Sequence, residues 1–338
     1  MSTFASIDAE KRRVFVREAA TRRGISEVVV EKDAWVSWTL RQLFHDREIE
    51  ADLLFKGGTS LAKVHGLIHR FSEDIDLGVA PAALGFAEAD LHAEPSKRRR
   101  SDALEKLQQR CGQHVRDVIR PRLEAAAVKA LGPCADAAWT RIEATPANGT
   151  VLRFHYPSSA ALGTHYIPRS IKLEFGSLTD QQPLQSQPIT TILQQQLDAP
   201  FADLEANVRT MRANRTFWEK ATILHDCAAR PLDRPLPPRY ARHYSDLAAM
   251  WNHAGPSLAA DHELLAAVCR HKSLFFDSSW SDYAAARAGS LRLAPPGARE
   301  EELRVDYEAM RAMFFDEAMP FEQLLSALRA AEASINQR

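Results

Sequence analysis

The stretch FKGGTSLAKVHGLIHRFSEDIDLGV, residues 55–79, limits what this chain can fold into more than any other. It starts within a short apolar run, ADLLFK, that reads as a strand and stops at the pair Gly57-Gly58. Thr59 or Ser60 can cap a helix after the glycines, and Leu61, Val64, Leu67 and Ile68 recur at helical spacing. The period then changes to two. Ile75, Leu77 and Val79 alternate with Asp74, Asp76 and Gly78, which predicts a second strand with both aspartates on one face.

That arrangement suggests chemistry. Glycines permit close backbone approach, and N–H groups at a helix start attract anions, so a strand, a Gly-rich turn and a helix can hold phosphate. A capped tight turn with no ligand is the plainer reading. Side chains two apart on a strand have Cα atoms roughly 6.5 to 7 Å apart. Two carboxylates that near repel, and a divalent cation relieves the repulsion; magnesium prefers one or two carboxylates plus phosphate oxygens. A solvated strand face is the alternative. RSIKLEFGS predicts another strand, with Ile171, Leu173 and Phe175 on one side and Lys172 and Glu174 on the other. Glu174 can join the aspartates there, as nucleotidyl transfer needs, or pair with Lys172 or an arginine.

Around this core, residues from about Ile7 to Phe44 read as helices, and AWTRIEATPANGTVLRFHYP as two β-rich runs about a Pro-Ala-Asn-Gly turn. After about Pro188 the strand signals stop and helical spacing takes over, broken by the proline-rich RPLDRPLPP and RLAPPGAR. The expected organisation is α+β: an α/β domain at 1–187 with a mixed sheet and flanking helices, then a helical domain at 188–338. With 338 residues and a formal net charge of -1, the whole chain has room for two cores and no charge that names a partner. Residues 96–122 do carry nine Lys or Arg against three acids, a basic helix that suits an RNA backbone or is simply solvated. Cys111, Cys134, Cys227 and Cys269 are scattered, which argues against a zinc knuckle or a disulfide framework. Without a signal peptide or an apolar run of membrane length, a cytoplasmic protein is expected.

Taken together, GGTSLAK, RFSEDIDL and IKLEFG resemble the nucleotidyltransferase superfamily pattern, and with VEKDAW, TFWEKATILHD and RYARHYSDL the chain is similar to the AbiEii/MenT-like toxins of type IV toxin–antitoxin pairs. The resemblance implies a magnesium-dependent enzyme that moves a nucleoside monophosphate from an NTP to an RNA acceptor, a tRNA 3' end, and that has a cognate antitoxin encoded by a neighbouring gene. A protein or small-molecule acceptor, or a nucleotide- or RNA-binding regulator without turnover, are the alternatives. By resemblance Gly57, Gly58 and Ser60 hold the triphosphate, Asp74 and Asp76 the metal, and Glu174 is the third acid; Lys220 and Asp246, from the helical part, complete the catalytic set.

Neighbouring residues have competing roles. Thr216 and Glu219 have the spacing of a capping box, which would leave Glu219 out of the chemistry and Lys220 without local duty. Lys220 could instead be a surface lysine, and Asp246 could form a surface pair with Arg242 one turn back. Arg242, Lys56 and Arg70 can each meet the nucleotide or its phosphates, and either Thr59 or Ser60 can supply the hydroxyl. Tyr240, Tyr244, Leu247 and Trp251 form a stripe that reads as core. The base of the NTP is not encoded in any of these motifs.

Overall fold

Two side-chain caps start the first helices. Asp8 accepts the Lys11 N–H to begin α1 (Ala9–Arg23), which ends at Gly24 in the left-handed conformation, and Ser26 accepts the Val28 N–H to begin α2 (Glu27–Phe44). The computed structural model describes residues 3–72, 74–87, 93–94, 96–132, 142–144, 149–160, 168–198, 201–276 and 278–337. Cys134 and most of the Pro-Ala-Asn-Gly turn lie outside the described residues. The chain divides into two units, Met1–Val64 with Glu73–Thr210, and His65–Ser72 with Met211–Arg338.

The first unit is built on a mixed seven-stranded sheet. In chain order its strands are β1 (Leu53–Lys56), β2 (Asp74–Val79), β3 (Ile142–Ala144), β4 (Val151–Phe154), β5 (Ile171–Gly176), β6 (Leu184–Ile189) and β7 (Ala206–Met211), and across the sheet they run β3-β4-β5-β2-β1-β7-β6. β2 is antiparallel to β1 and parallel to β5. Ile75, Leu77, Ile171 and Leu173 are fully buried, and Trp35 and Trp38 of α2 pack on Phe154, the register partner of Ile171. Between the strands lie α3 (Gly57–Lys63), α4 (Lys97–His114), α5 (Arg120–Leu131) and α6 (Ile192–Gln196); a π-turn, Val115–Ile119, joins α4 to α5.

The structure corrects two expectations here. Strands do continue after Pro188: β7 pairs parallel with β1, and the alternation of buried Ala206, Val208 and Thr210 with Asn207 and Arg209 was its period-two signal. The boundary expected at 187/188 falls ahead of that strand. The helix after the glycines is also shorter than its apolar spacing suggests. It begins at Gly57 directly after Lys56 and ends at Lys63; Gly66 adopts a left-handed φ of 61°, and Leu67 and Ile68 are buried outside any helix.

The second unit contains α7 (Ala213–Ala229), α8 (Ala241–Leu258), α9 (His262–Phe275), α10 (Glu300–Ala309) and α11 (Phe321–Asn336). α8 packs on α7, α10 and α11, and its core includes Phe217, Trp218, Leu224, Leu247 and Leu328. Of the aromatic stripe, Tyr244 and Leu247 are buried while Tyr240 and Trp251 are half-buried. Residues 65–72 belong to this unit through backbone pairing: the Phe71 N–H donates to Met313 O and the Phe315 N–H to His69 O.

Candidate functional site

Strand register assembles the cluster in the α/β unit. Lys56 faces Asp76 across β1 and β2; Asp76 faces Glu174, and Asp74 faces Lys172, across β2 and β5. Residues opposite one another on a ladder share a side of the sheet, so Lys56, Asp76 and Glu174 form one row, with Asp74 and Lys172 in the next. All five are half-buried. Lys172 Nζ pairs with Glu174 Oε1, so the local partner weighed for Glu174 is indeed present. Lys56 Nζ reaches Thr179 Oγ1 at 3.3 Å.

The glycine turn lies against this row. Gly57 has a φ of 78°, which favours glycine, and a Cβ there would sit 1.9 Å from Asp76 Oδ2 and 2.7 Å from Asp76 Cγ. The missing side chain is what lets the start of α3 approach the carboxylate. Lys56 stands at the N-cap without a side-chain cap hydrogen bond. Neither hydroxyl points outward as expected: Thr59 Oγ1 donates to Asp74 O, Ser60 Oγ donates to Gly57 O at 2.9 Å, and both residues are buried. The hydroxyls shape the turn, and an anion would be met by first-turn backbone N–H groups, which have no acceptor within their own helix.

The donor set suits a hard cation bound partly by substrate. Among the described residues no three His, Cys, Asp or Glu come close enough to enclose a metal ion. Asp74 and Asp76 place carboxylate oxygens on one side of β2, with the glycine turn against Asp76. That composition fits magnesium, which keeps few protein ligands, better than zinc or calcium.

In the helical unit Arg70, Lys220 and Asp246 are buried. Asp246 is 1% exposed; its Oδ1 accepts Arg70 Nε at 2.7 Å, and its Oδ2 accepts Arg70 Nη2 at 2.8 Å and Lys220 Nζ at 2.8 Å. Asp246 therefore does not form a surface pair with Arg242, which is exposed, and Lys220 is not a surface lysine. Arg70 is turned to Asp246 instead of being left for phosphate. Burial alone would raise the Asp246 carboxyl, but Arg70 and then Lys220 outweigh it and hold it well below the ordinary carboxylate range. The same burial lowers the Lys220 ammonium, and Asp246 opposes that shift. Burial also keeps His243 well below its usual value, reinforced by Lys220 and Arg242.

Glu219 has a different role from the one its spacing suggested. Helix α7 starts at Ala213, so Thr216 is inside it and forms no cap; Glu219 accepts Arg215 at 2.8 Å and Lys272 at 3.1 Å. His225 also has local partners: its Nδ1 accepts the Arg292 N–H and its Nε2 lies 3.2 Å from Asp282 O. The ion pairs of Arg70 and of Asp33 with Lys63 went unread in the sequence. For Asp33 there was a signal: Glu31-Lys32-Asp33 are three successive charges between the apolar runs Val28-Val29-Val30 and Ala34-Trp35-Val36.

The family profile described as nucleotidyl transferase AbiEii toxin, type IV TA system, matches residues 38–327. The structure of MenT4, a nucleotidyltransferase toxin from Mycobacterium tuberculosis H37Rv, is similar with a TM-score of 0.50 and 16% identity, over 96% of this chain and 90% of that one; at such identity the likeness shows the fold. A comparison with curated proteins finds no match. With the sheet, the glycine turn and the paired acids arranged as described, this chain belongs to the AbiEii family of nucleotidyltransferase toxins of type IV toxin–antitoxin systems.

Proposed function

We propose that this toxin transfers a nucleoside monophosphate from an NTP to an RNA acceptor, a tRNA 3' end, in a magnesium-dependent reaction that releases pyrophosphate. One observation carries the reading: Lys56, Asp76 and Glu174 stand in a row beside Asp74, with the Gly57 backbone so close that a Cβ is excluded.

Asp74 and Asp76 would hold the cation, which when bound neutralises and orients the triphosphate. Gly57 and Gly58 admit the phosphates to the backbone, Lys56 adds positive charge, and Thr59 and Ser60 fix the turn. Glu174 positions the attacking hydroxyl and takes its proton, and Lys172 pairs with that carboxylate. The hydroxyl oxygen bonds to the α-phosphorus as the bond to pyrophosphate breaks. As the family resemblance implies, Lys220, paired with Asp246, and Arg242 would complete the catalytic set, the ammonium offsetting charge that develops on a transferred phosphate.

Helix α4 supports an RNA acceptor, since Arg98, Arg99, Lys106 and Arg110 are exposed along it. These substrates imply a cytoplasmic site of action, and among the described residues no helix is long and apolar enough to cross a membrane. The partner implied by a type IV system is an antitoxin encoded by a neighbouring gene. Incubation with each α-labelled NTP, magnesium and total tRNA tests the reading. Label at a tRNA 3' end, lost in Asp76→Asn, is expected; label on protein or a small molecule would replace the acceptor, and no transfer to any acceptor would overturn the proposal.

A further inference from the structure

Glu31, Lys32 and Asp33 are 0%, 1% and 9% exposed, in a helix buried continuously from Val28 to Leu40. Successive helical positions diverge by roughly 100°, so each charge reaches a different segment. Glu31 accepts Ser158 Oγ at 2.6 Å and the Ser159 N–H at 2.5 Å, just beyond β4. Lys32 donates to Pro168 O at 2.9 Å, just ahead of the strand that carries Glu174. Asp33 accepts the Ile192 N–H at 2.8 Å, where α6 begins, and pairs with the ammonium of Lys63 in the last turn of α3.

Helix α3 needs such a hold. It has seven residues, opens with two glycines and lacks a side-chain N-cap, so its own helical propensity is weak. Thr59 fastens its start to Asp74 O, and Lys63, 7% exposed at the side chain, fastens its end to Asp33. A cation is also favourable at that end of a helix. Asp33 itself sits on a deeply buried helix, braced by Trp35 and Trp38, which gives α3 a rigid reference.

We propose that Asp33 is a positioning residue for the nucleotide: through Lys63 it fixes α3, and with it the Gly57-Gly58 backbone that meets the phosphates. This rests on the reading of the diglycine turn as the phosphate site. Asp33 acts without touching substrate, and its loss displaces the turn while the acids on β2 and β5 stay in register.

The test measures kcat, the KM of the NTP, the KM of the acceptor, and Tm for full-length Asp33→Asn, Lys63→Met, Lys63→Arg and the double variant Asp33→Asn/Lys63→Met. Each of the first two should raise the NTP KM about tenfold and leave the acceptor KM within about twofold, the range expected of a misplacement below 1 Å. Lys63→Arg keeps the cation and should stay within about threefold of the parent, and the double variant should be no worse than the weaker single one. A merely structural pair would lower Tm without separating the two KM values. Equal rises in both KM values, an unchanged NTP KM in folded Asp33→Asn, or additive effects in the double variant would overturn the inference. Should Asp33→Asn not fold, Lys63→Met against Lys63→Arg decides, because equal NTP KM values in those two would sink it. Asp76→Asn separates the underlying reading: persistent turnover there refutes the phosphate site itself, whereas its loss leaves the Asp33 result to stand alone.

Discussion

The candidate site carboxylates of the two units are held in opposite ways. In the α/β unit Glu174 is 39% exposed at the side chain and shares its side of the sheet with Asp74 and Asp76, all placed by backbone register. In the helical unit Asp246 is 1% exposed and both of its oxygens are taken by Arg70 and Lys220. The sheet acids take their geometry from strand register, so their chemistry can be removed with little loss of stability. The buried acid and its cations hold one another in place, and removing any one leaves the others uncompensated.

Five substitutions would break or sharpen this contrast. Asp76→Asn should cost on the order of 10³-fold in turnover, with Tm nearly unchanged, because it removes a half-buried charge from the sheet and leaves its register intact. A large fall in Tm would erase the distinction. Asp246→Ala should destabilise the fold by about 3 kcal/mol, since two buried cations lose their common partner; urea unfolding measures it. Gly57→Ala should reduce turnover by about 10²-fold, because the new Cβ must displace the Asp76 carboxylate and φ is unfavourable, and parent-like kinetics would refute the close approach. The smallest effect belongs to the basic helix. Lys106→Gln and Arg110→Gln should each raise the acceptor KM about two- to threefold, lower the salt slope of RNA binding by about one, and leave the NTP KM alone.

The acid behaviour of Asp246 gives a further check on the second of these changes. Its folded-state pKa lies below the ordinary 3.8, so the stabilisation from its ion pairs is complete above that value and is lost as pH falls beneath it. The stability gap between the parent and Asp246→Asn should therefore be constant near neutrality and narrow below pH 3.8. A gap that persisted into strong acid would mean the carboxylate charge is not what the pairs depend on.

Legibility in the sequence followed how local each signal was. The strands bearing Asp74, Asp76 and Glu174 could be read from alternation, and the position of the glycine turn from Gly57-Gly58, because side-chain period and glycine chemistry act over a few residues. β7 carried the same alternation but was hidden in a stretch read as helical. The spacing of Leu61, Val64, Leu67 and Ile68 suggested a longer helix than exists, since burial outside a helix leaves the same apolar residues as burial within one. Thr216 and Glu219 matched a cap that is absent because the helix starts at Ala213.

What the sequence determined by itself was the kind of protein: an α+β chain with a glycine turn and a row of acids, since each motif is encoded within a handful of neighbours. Only the tertiary structure decided how those pieces are held. That Arg70 and Lys220 share Asp246 across 176 and 26 residues of chain, that Asp33 grips Lys63, and that Thr59 and Ser60 turn inward are facts of distant contact. Burial is set by the whole fold, and it is burial that makes a charge choose one partner where the sequence alone offers several.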